Sequence, residues 1–183
     1  MKRDLKDIWE RERRQVRQLR DGLGKPVDRQ IVEAVTILRV LGFTTTGSCG
    51  GHADRLLAPY VGFRSATNAE DRQYIEQAPD QAARRRRKNQ TIRHNAAELG
   101  RLVPLLGRFY DGSAVPYKQR LICQGFGVIG YRLTTQDADL VTVVSKDERR
   151  ELVKRQRREF DAFTKFLEAE FFAALDDAPS RAA

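Results

Sequence analysis

Residues 44–63 read TTTGSCGGHADRLLAPYVGF, and this stretch does most to decide the fold. Its β-branched start predicts a short strand over 43–46, and the apolar run at 60–64 predicts a second strand that pairs with the first. Between them, 47–55 contains three glycines, which allow backbone angles that other residues resist. The stretch therefore predicts two strands joined by a glycine-rich loop that can approach a ligand closely.

Two helices are predicted ahead of this stretch. The charge-rich segment 3–20 predicts a polar helix that ends at the glycines of 21–24. Asp28 is a suitable N-cap for a second helix, because its carboxylate can accept from the free amides of the first turn. Gly42 is a natural stop for that helix. Its apolar residues share one face: Ile31, Ala34, Val35, Leu38 and Leu41.

A third helix is predicted after the second strand. The polar segment 65–83 predicts a loop with a helical turn near 71–77. Apolar residues then recur at helical spacing over 81–110. Pro104 has no amide donor, so we expect it to kink or interrupt this helix.

The last part of the chain predicts a hairpin and a long helix. Strands over 120–123 and 128–133 flank a turn at 124–127. Ser145 and Glu148 have the spacing of a capping box, in which each side chain satisfies an amide of the other residue. The helix that they open continues to about residue 175, with a basic first half and a phenylalanine-rich second half.

The order of elements is helix, helix, strand, strand, helix, strand, strand, helix. This order predicts an α+β fold in which helices, including a long C-terminal one, cover a small, largely antiparallel four-stranded sheet. We expect one domain over 1–183: a polar helix within 1–24, an α+β core over 25–175 and a loose tail at 176–183.

Composition narrows the class of protein. The 183 residues carry a formal net charge of +9, and 32% of them are charged. The N-terminus lacks the apolar core of a secretory signal, and no apolar run approaches the roughly 20 residues that span a bilayer. The two cysteines, Cys49 and Cys123, have no disulfide-framework spacing. We therefore expect a cytoplasmic protein without a membrane segment.

The glycine-rich loop concentrates reactive side chains, which makes it the candidate active site. Successive loop amides can bind an anion, and the guanidinium of Arg55 can grip a phosphate or carboxylate. His52 can transfer protons near neutral pH, with Asp54 to orient it, and Cys49 is a candidate nucleophile. The candidate catalytic residues are Cys49, His52, Asp54 and Arg55, and the candidate ligand-binding residues are Thr46, Ser48, Gly50 and Gly51.

The same loop is also consistent with a purely structural role or with a metal site. Glycine pairs often do no more than form tight turns, and a buried cysteine is usually inert. A tetrahedral zinc site would need Cys49, His52, His94 and Cys123 together. His94 in a basic helix and Cys123 in an apolar strand are explained more simply as a surface residue and a core residue, so no metal site is predicted.

The run Thr45-Thr46-Gly47-Ser48-Cys49-Gly50-Gly51-His52 resembles the TT-x-SC-x-GH core of small phage and plasmid proteins. It is also similar to the TT-x-SC-x-GR segment of the tRNA wybutosine-synthesizing protein 3 family, which uses S-adenosylmethionine. In this sequence His52 stands where that family has arginine. These resemblances cover about forty residues near the front of the chain.

A looser resemblance concerns nucleotide binding. Cys49, Gly50, Gly51 and His52, followed by Arg55, resemble in a different order the nucleotide loop of the ParB/sulfiredoxin superfamily. Members of that superfamily on mobile elements, including plasmid fertility-inhibition factors, handle nucleotides and DNA. The resemblance implies a nucleotide as the cofactor or ligand.

A basic run lies in the third predicted helix. Five consecutive cations can contact the phosphates of a nucleic acid, which would make binding strongly dependent on salt. An acidic protein partner or a solvated helix face would also explain them. The candidate nucleic-acid-binding residues are Arg84, Arg85, Arg86, Arg87, Lys88 and Arg93.

Three functions follow from the sequence as hypotheses. The first is a nucleic-acid-associated protein from a mobile element, with a nucleotide- or phosphate-binding site at 47–55 that could act as an ATPase or nuclease. The second is a non-catalytic binding or inhibitor protein. The third is an S-adenosylmethionine-dependent RNA-modifying enzyme. The residues leave open whether the protein is an enzyme.

Overall fold

The computed structural model describes residues 2–21, 23–63, 73, 75–126 and 130–173. The predicted tail at 176–183, the segment 127–129, Gly22 and most of the predicted loop 65–83 up to residue 74 lie outside the described residues. Of the helical turn predicted near 71–77, the described residues Gln73, Ile75 and Glu76 are helical.

Within the described residues, four α-helices of nine or more residues and four strands are present, which confirms the predicted α+β fold and its long C-terminal helix. The sheet is antiparallel throughout, with strand order β1-β2-β4-β3. The elements are α1 Lys2–Gln18, α2 Val32–Val40, β1 Thr45–His52, β2 Leu57–Phe63, α3 Gln81–Phe109, β3 Leu121–Phe126, β4 Gly130–Thr135 and α4 Lys146–Ala173.

The core forms where alternate residues of β2 and β4 meet the helices. Val61, Phe63 and Leu133 are fully buried, and the Phe63 and Tyr131 rings stack with centroids 4.9 Å apart. Apolar residues of α2, α3 and α4 complete this cluster, among them Ile37, Leu38, Leu102, Phe160 and Phe163. In the strand order β1-β2-β4-β3, β1 pairs with β2 alone, so it is an edge strand.

The glycine-rich segment is mostly strand, so the predicted loop at 47–55 is wrong in its first two thirds. Gly47 to His52 pair with β2 in a register that places Gly50 opposite Pro59. Proline has no N–H to offer across the ladder, so the backbone groups of Gly50 are directed away from β2. The reversal needs only the short 3-10 helix Ala53–Arg55 and Leu56, whose φ of 57° is left-handed.

The helix before β1 begins later than predicted. α2 starts at Val32, and its N-cap Ile31 makes no side-chain capping bond. The predicted capping role of Asp28 is therefore wrong, because its carboxylate is engaged with β1 instead. The segment between α1 and α2 is held by the Asp21 carboxylate, which accepts from the amides of Leu23 and Lys25.

Two further expectations change in the second half. α3 passes through Pro104 without interruption, because buried Leu102 and Leu106 anchor the helix on both sides of the missing hydrogen bond. In the hairpin, 124–126 belong to β3, so the turn predicted at 124–127 is wrong for these three residues. None of the helices described above combines the length and apolar content needed to cross a bilayer.

Candidate functional site

The outer edge of β1 is covered by two side chains from distant parts of the chain. The N–H of Gly50 donates to Oδ2 of Asp28 at 2.8 Å. The guanidinium of Arg157, on α4, donates to the carbonyls of Gly50 and Gly51, the first at 2.7 Å. These hydrogen bonds pair backbone N–H and C=O groups that an edge strand otherwise presents to solvent. They also place the Asp28 carboxylate against Gly50.

The Asp28 carboxylate also meets the reactive side chains of β1. Oδ2 of Asp28 lies 2.9 Å from Nε2 of His52. One ligand-type atom each from Asp28, Cys49 and His52 lies within 4.8 Å of the other two. We call these three residues the reactive corner. It offers a carboxylate, a thiol and an imidazole at one point, a set able to transfer protons or bind a metal ion.

Asp28 and Pro59 can lie this close to β1 only because residues 50 and 51 are glycines. A Cβ on Gly50 would lie 3.0 Å from Cβ of Asp28, so a larger residue would push the carboxylate away. Gly51 has a φ of 80°, and a Cβ there would lie 2.9 Å from Cδ of Pro59. The sequence signal of paired glycines therefore reflects close backbone packing within the site.

The surroundings set the ionisation of the reactive corner. Burial alone raises the pKa of Asp28, but the Gly50 N–H and His52 outweigh it, so the pKa of Asp28 lies below its ordinary value. Burial, together with the Asp28 charge, raises the pKa of Cys49 despite the opposing N–H of Gly51. The corner therefore rests as a carboxylate beside a protonated thiol, which disfavours Cys49 as a free nucleophile.

The reactive corner opens into a cavity of about 380 Å³, which we call the β1 cavity. It lies between β1 and the segment that joins α1 to α2. Four cationic side chains and two carboxylates line it, so its lining is net basic. The lining residues are 45–49, Leu19, Arg20, Asp21, Lys25, Pro26, Val27, Asp28, Val35, Arg39, His52, Arg55, Leu57 and Tyr60.

Seven of the eight predicted site residues of 46–55 lie in or beside this cavity. Thr46, Ser48, Cys49, His52 and Arg55 line it. Gly50 and Gly51 sit behind it, and the Gly50 amide predicted to bind an anion already serves Asp28.

Asp54 does not line the β1 cavity. Its side chain is 77% exposed and forms a 3.9 Å ion pair with Arg55. Asp28, and not Asp54, is the carboxylate that contacts His52, so the orienting role predicted for Asp54 is wrong.

The four-residue zinc set is not brought together. Cys49 lies on β1 and Cys123 on β3, which are the two opposite edges of the sheet. His94 is an exposed residue of α3. In the described part of the chain, the one group of three or more metal-ligand atoms is the reactive corner, which uses two of those four residues.

The predicted nucleic-acid-binding cations lie on the first half of α3. Arg84, Arg85, Arg86, Lys88 and Arg93 are exposed, and Arg87 is half-buried. In the basic first half of α4, by contrast, three arginines bind other groups of the protein. There Arg149, Arg155 and Arg157 bind Val141 O, the Asp137 carboxylate and Gly50 O, respectively, so these three charges hold the fold together.

Two residues of the site are not identified by the sequence. The position of Asp28 before an apolar helix predicts a cap, although no Glu or Gln follows three residues later to complete a capping box. Arg157 is one of many cations in a basic helix. It reaches Gly50 from 107 residues away, so its role has no local signal.

No protein-family model matches the chain, and it matches no curated protein and no solved structure. What the site does is therefore argued from its geometry.

Proposed function

We propose that this protein binds a phosphate-bearing ligand, a nucleotide or the end of a nucleic-acid strand, in the β1 cavity. The observation that carries this is the net basic lining beside the reactive corner. One of the four lining cations, Arg39, is paired with Glu12, which leaves Arg20, Lys25 and Arg55 against the carboxylates of Asp21 and Asp28. The remaining net positive charge of the lining favours an anionic ligand.

Size and access support the same proposal. About 380 Å³ falls within the roughly 300–1,000 Å³ typical of small-molecule sites. Arg55 is 59% exposed, and its contact with Asp54 is long at 3.9 Å, so its guanidinium remains available to a phosphate. Lys25 is exposed on the opposite wall. Both cations come from turns beside the cavity and can close on a ligand.

Hydrolysis is the reaction class that we propose for this cavity. A phosphate ester held by Arg55 and Lys25 would lie against the reactive corner. Because burial and Asp28 raise the pKa of Cys49, we assign the attack to a water molecule rather than to the thiol. The water oxygen bonds to phosphorus and its proton passes to His52, while the ester P–O bond breaks and the leaving oxygen takes a proton from solvent. A reduced thiol in the site fits a reducing compartment, so we place the protein in the cytoplasm.

A ligand screen tests this proposal. ATP, AMP, S-adenosylmethionine and a short single-stranded DNA are titrated against the full chain by calorimetry. We expect a phosphate ligand to bind the native protein and its affinity to fall at least tenfold in Arg55→Ala. The matched control Arg150→Ala removes an equally exposed arginine, on α4, that pairs with Asp147.

Each outcome selects among the hypotheses. Equal binding by both variants, or no binding by any phosphate ligand, would refute the proposal. Binding of S-adenosylmethionine alone would favour the RNA-modifying enzyme. Phosphate binding without turnover would favour the non-catalytic binding protein.

We propose that the exposed cations of α3 contact the nucleic-acid backbone. The first turn of α3 contains no acid, and its N-terminal half carries Arg85, Arg86 and Arg93 on solvent-facing positions. Backbone contacts release counterions, so log K should fall linearly with log salt, with a slope near −0.9 for each phosphate neutralised. The triple Gln variant of these arginines should flatten the slope, whereas Arg150→Gln should not.

A further inference from the structure

We propose that the reactive corner is a binding site for a transition-metal ion of the zinc class. The ligands are a carboxylate oxygen of Asp28, Sγ of Cys49 and Nε2 of His52, and the fourth position opens to the β1 cavity. This inference stands on the arrangement of the three donors. It does not require the phosphate ligand of the proposed function.

The donor set selects the kind of metal. One oxygen, one sulfur and one imidazole nitrogen lie within 4.8 Å of one another. A thiolate disfavours Mg²⁺ and Ca²⁺, which prefer oxygen ligands, whereas Zn²⁺ accepts all three donor types. Three protein ligands with one open position is the arrangement of zinc sites that act on a substrate, rather than of closed structural sites.

The backbone is shaped to bring these donors together. Cys49 and His52 are three residues apart, and on a regular strand such residues point to opposite faces. The left-handed φ of 80° at Gly51, between them, breaks this alternation. Asp28 then approaches from outside the sheet, at a position that the missing side chain of Gly50 leaves open.

Hydrogen bonds hold two of the donors in place before a metal arrives. The Gly50 N–H fixes the Asp28 carboxylate at 2.8 Å, and the Gly51 N–H points to Sγ of Cys49 at 3.4 Å. Arg157 fixes the carbonyls of the same two glycines. Such outer contacts orient metal ligands and support a thiolate.

Metal binding draws together three donor atoms that lie within 4.8 Å of one another, and it requires an exchange of protons. Oδ2 of Asp28 and Nε2 of His52 are 2.9 Å apart, against about 3.3 Å between neighbouring donors in a tetrahedral zinc site with bonds near 2.0 Å. The Cys49 S–H bond breaks, the S–metal bond forms and the proton leaves to water. The proton on Nε2 of His52, which Asp28 accepts in a hydrogen bond, is exchanged through water to Nδ1, so the Nε2 lone pair becomes free to bind the metal.

The site is reachable from solvent. The side chains of His52 and Asp28 are 26% and 30% exposed, and both line the β1 cavity. An ion at this point would therefore present its open position to whatever the cavity binds.

Cobalt titration of the full chain, stripped with EDTA, tests the proposal. Co²⁺ reports both tetrahedral geometry, by its visible bands, and a thiolate ligand, by charge transfer in the near ultraviolet. We expect one equivalent to give both signals and Zn²⁺ to displace it. Cys49→Ala should abolish the charge-transfer band, and His52→Ala should weaken Co²⁺ binding at least tenfold.

Controls of the same residue types separate this site from adventitious binding. Cys123→Ala, His94→Ala and Asp54→Asn each remove one donor elsewhere and should leave the spectrum unchanged. Asp28→Asn keeps an oxygen for the Gly50 N–H while removing the charge, so it should weaken Co²⁺ binding with the fold retained, as circular dichroism checks. Absence of a thiolate band in the wild type, or an equal loss in the controls, would overturn the proposal.

Discussion

Replacing Gly51 with alanine tests whether the backbone of the reactive corner is as tightly fitted as its contacts indicate. A Cβ at this position would lie 2.9 Å from Cδ of Pro59 and 3.1 Å from Cγ1 of Val153. Gly112 provides a matched control. Its φ of +64° is similarly left-handed, but no described heavy atom lies within 4 Å of the position that its Cβ would take.

Both substitutions place an alanine in a left-handed backbone conformation, but only Gly51→Ala also creates a steric clash. A left-handed conformation costs an alanine about 1–2 kcal/mol in either position. At Gly51 the clash adds about 1–3 kcal/mol, the usual range for overpacking. The gain from a less flexible unfolded chain, about 0.4–1 kcal/mol, applies to both and cancels in the comparison. We therefore expect Gly51→Ala to lower the free energy of unfolding by about 1–3 kcal/mol more than Gly112→Ala.

Urea unfolding, followed by circular dichroism, measures this difference. With a slope of about 2 kcal/mol per molar urea, the two midpoints should differ by about 0.5–1.5 M. Equal midpoints, within about 0.2 M at that slope, would refute the tight fit of Gly51 between Pro59 and α4. The same result would remove the backbone support for the metal site.

Two further predictions follow from the ionisation of single groups. Burial raises the pKa of Cys123 to about 12, so little thiolate exists at pH 8. In a Cys49→Ala background, iodoacetamide should label Cys123 slowly in the native protein and rapidly in urea; equal rates would contradict its burial. Hydrogen bonds from Ser145 hold the pKa of Glu148 below its ordinary value, so its stabilising effect is present above about pH 4.3 and lost as pH falls through the lowered pKa. Glu148→Gln should lower the urea midpoint at pH 7 and not at pH 3; a difference that persists at pH 3 would argue against the carboxylate's role.

Local patterns were enough to predict the type and order of the main elements, apart from the glycine-rich half of β1. The apolar face of α2 and the capping box of α4 depend on residues a few positions apart, so the sequence displays them directly. The capping box is confirmed by bonds in both directions between Ser145 and Glu148. The order of helices and strands then leaves few ways to cover one sheet, and the α+β prediction followed from it.

The glycine strand could not be predicted from local preference, because glycine is disfavoured in strands. Its position in the sheet depends on pairing with β2, where Pro59 lies opposite Gly50. The N–H and C=O of Gly50 face away from β2 and bind Asp28 and Arg157 instead. These partners lie 22 and 107 residues away in the sequence. The sequence singled out Cys49 and His52 as candidate site residues, but the identity of the carboxylate beside them depended on these long-range contacts.

The contacts that protect the edge of β1 are the same ones that build the reactive corner. Asp28 caps the amide of Gly50 and also holds His52, so a change at Asp28 affects both the sheet edge and the site. Arg55 is different, because its described contact is a long ion pair with Asp54 and not a bond to the sheet edge. Stability and ligand binding should therefore separate cleanly in variants of Arg55. Variants of Gly50 and Gly51, and Asp28→Ala, should lose both together.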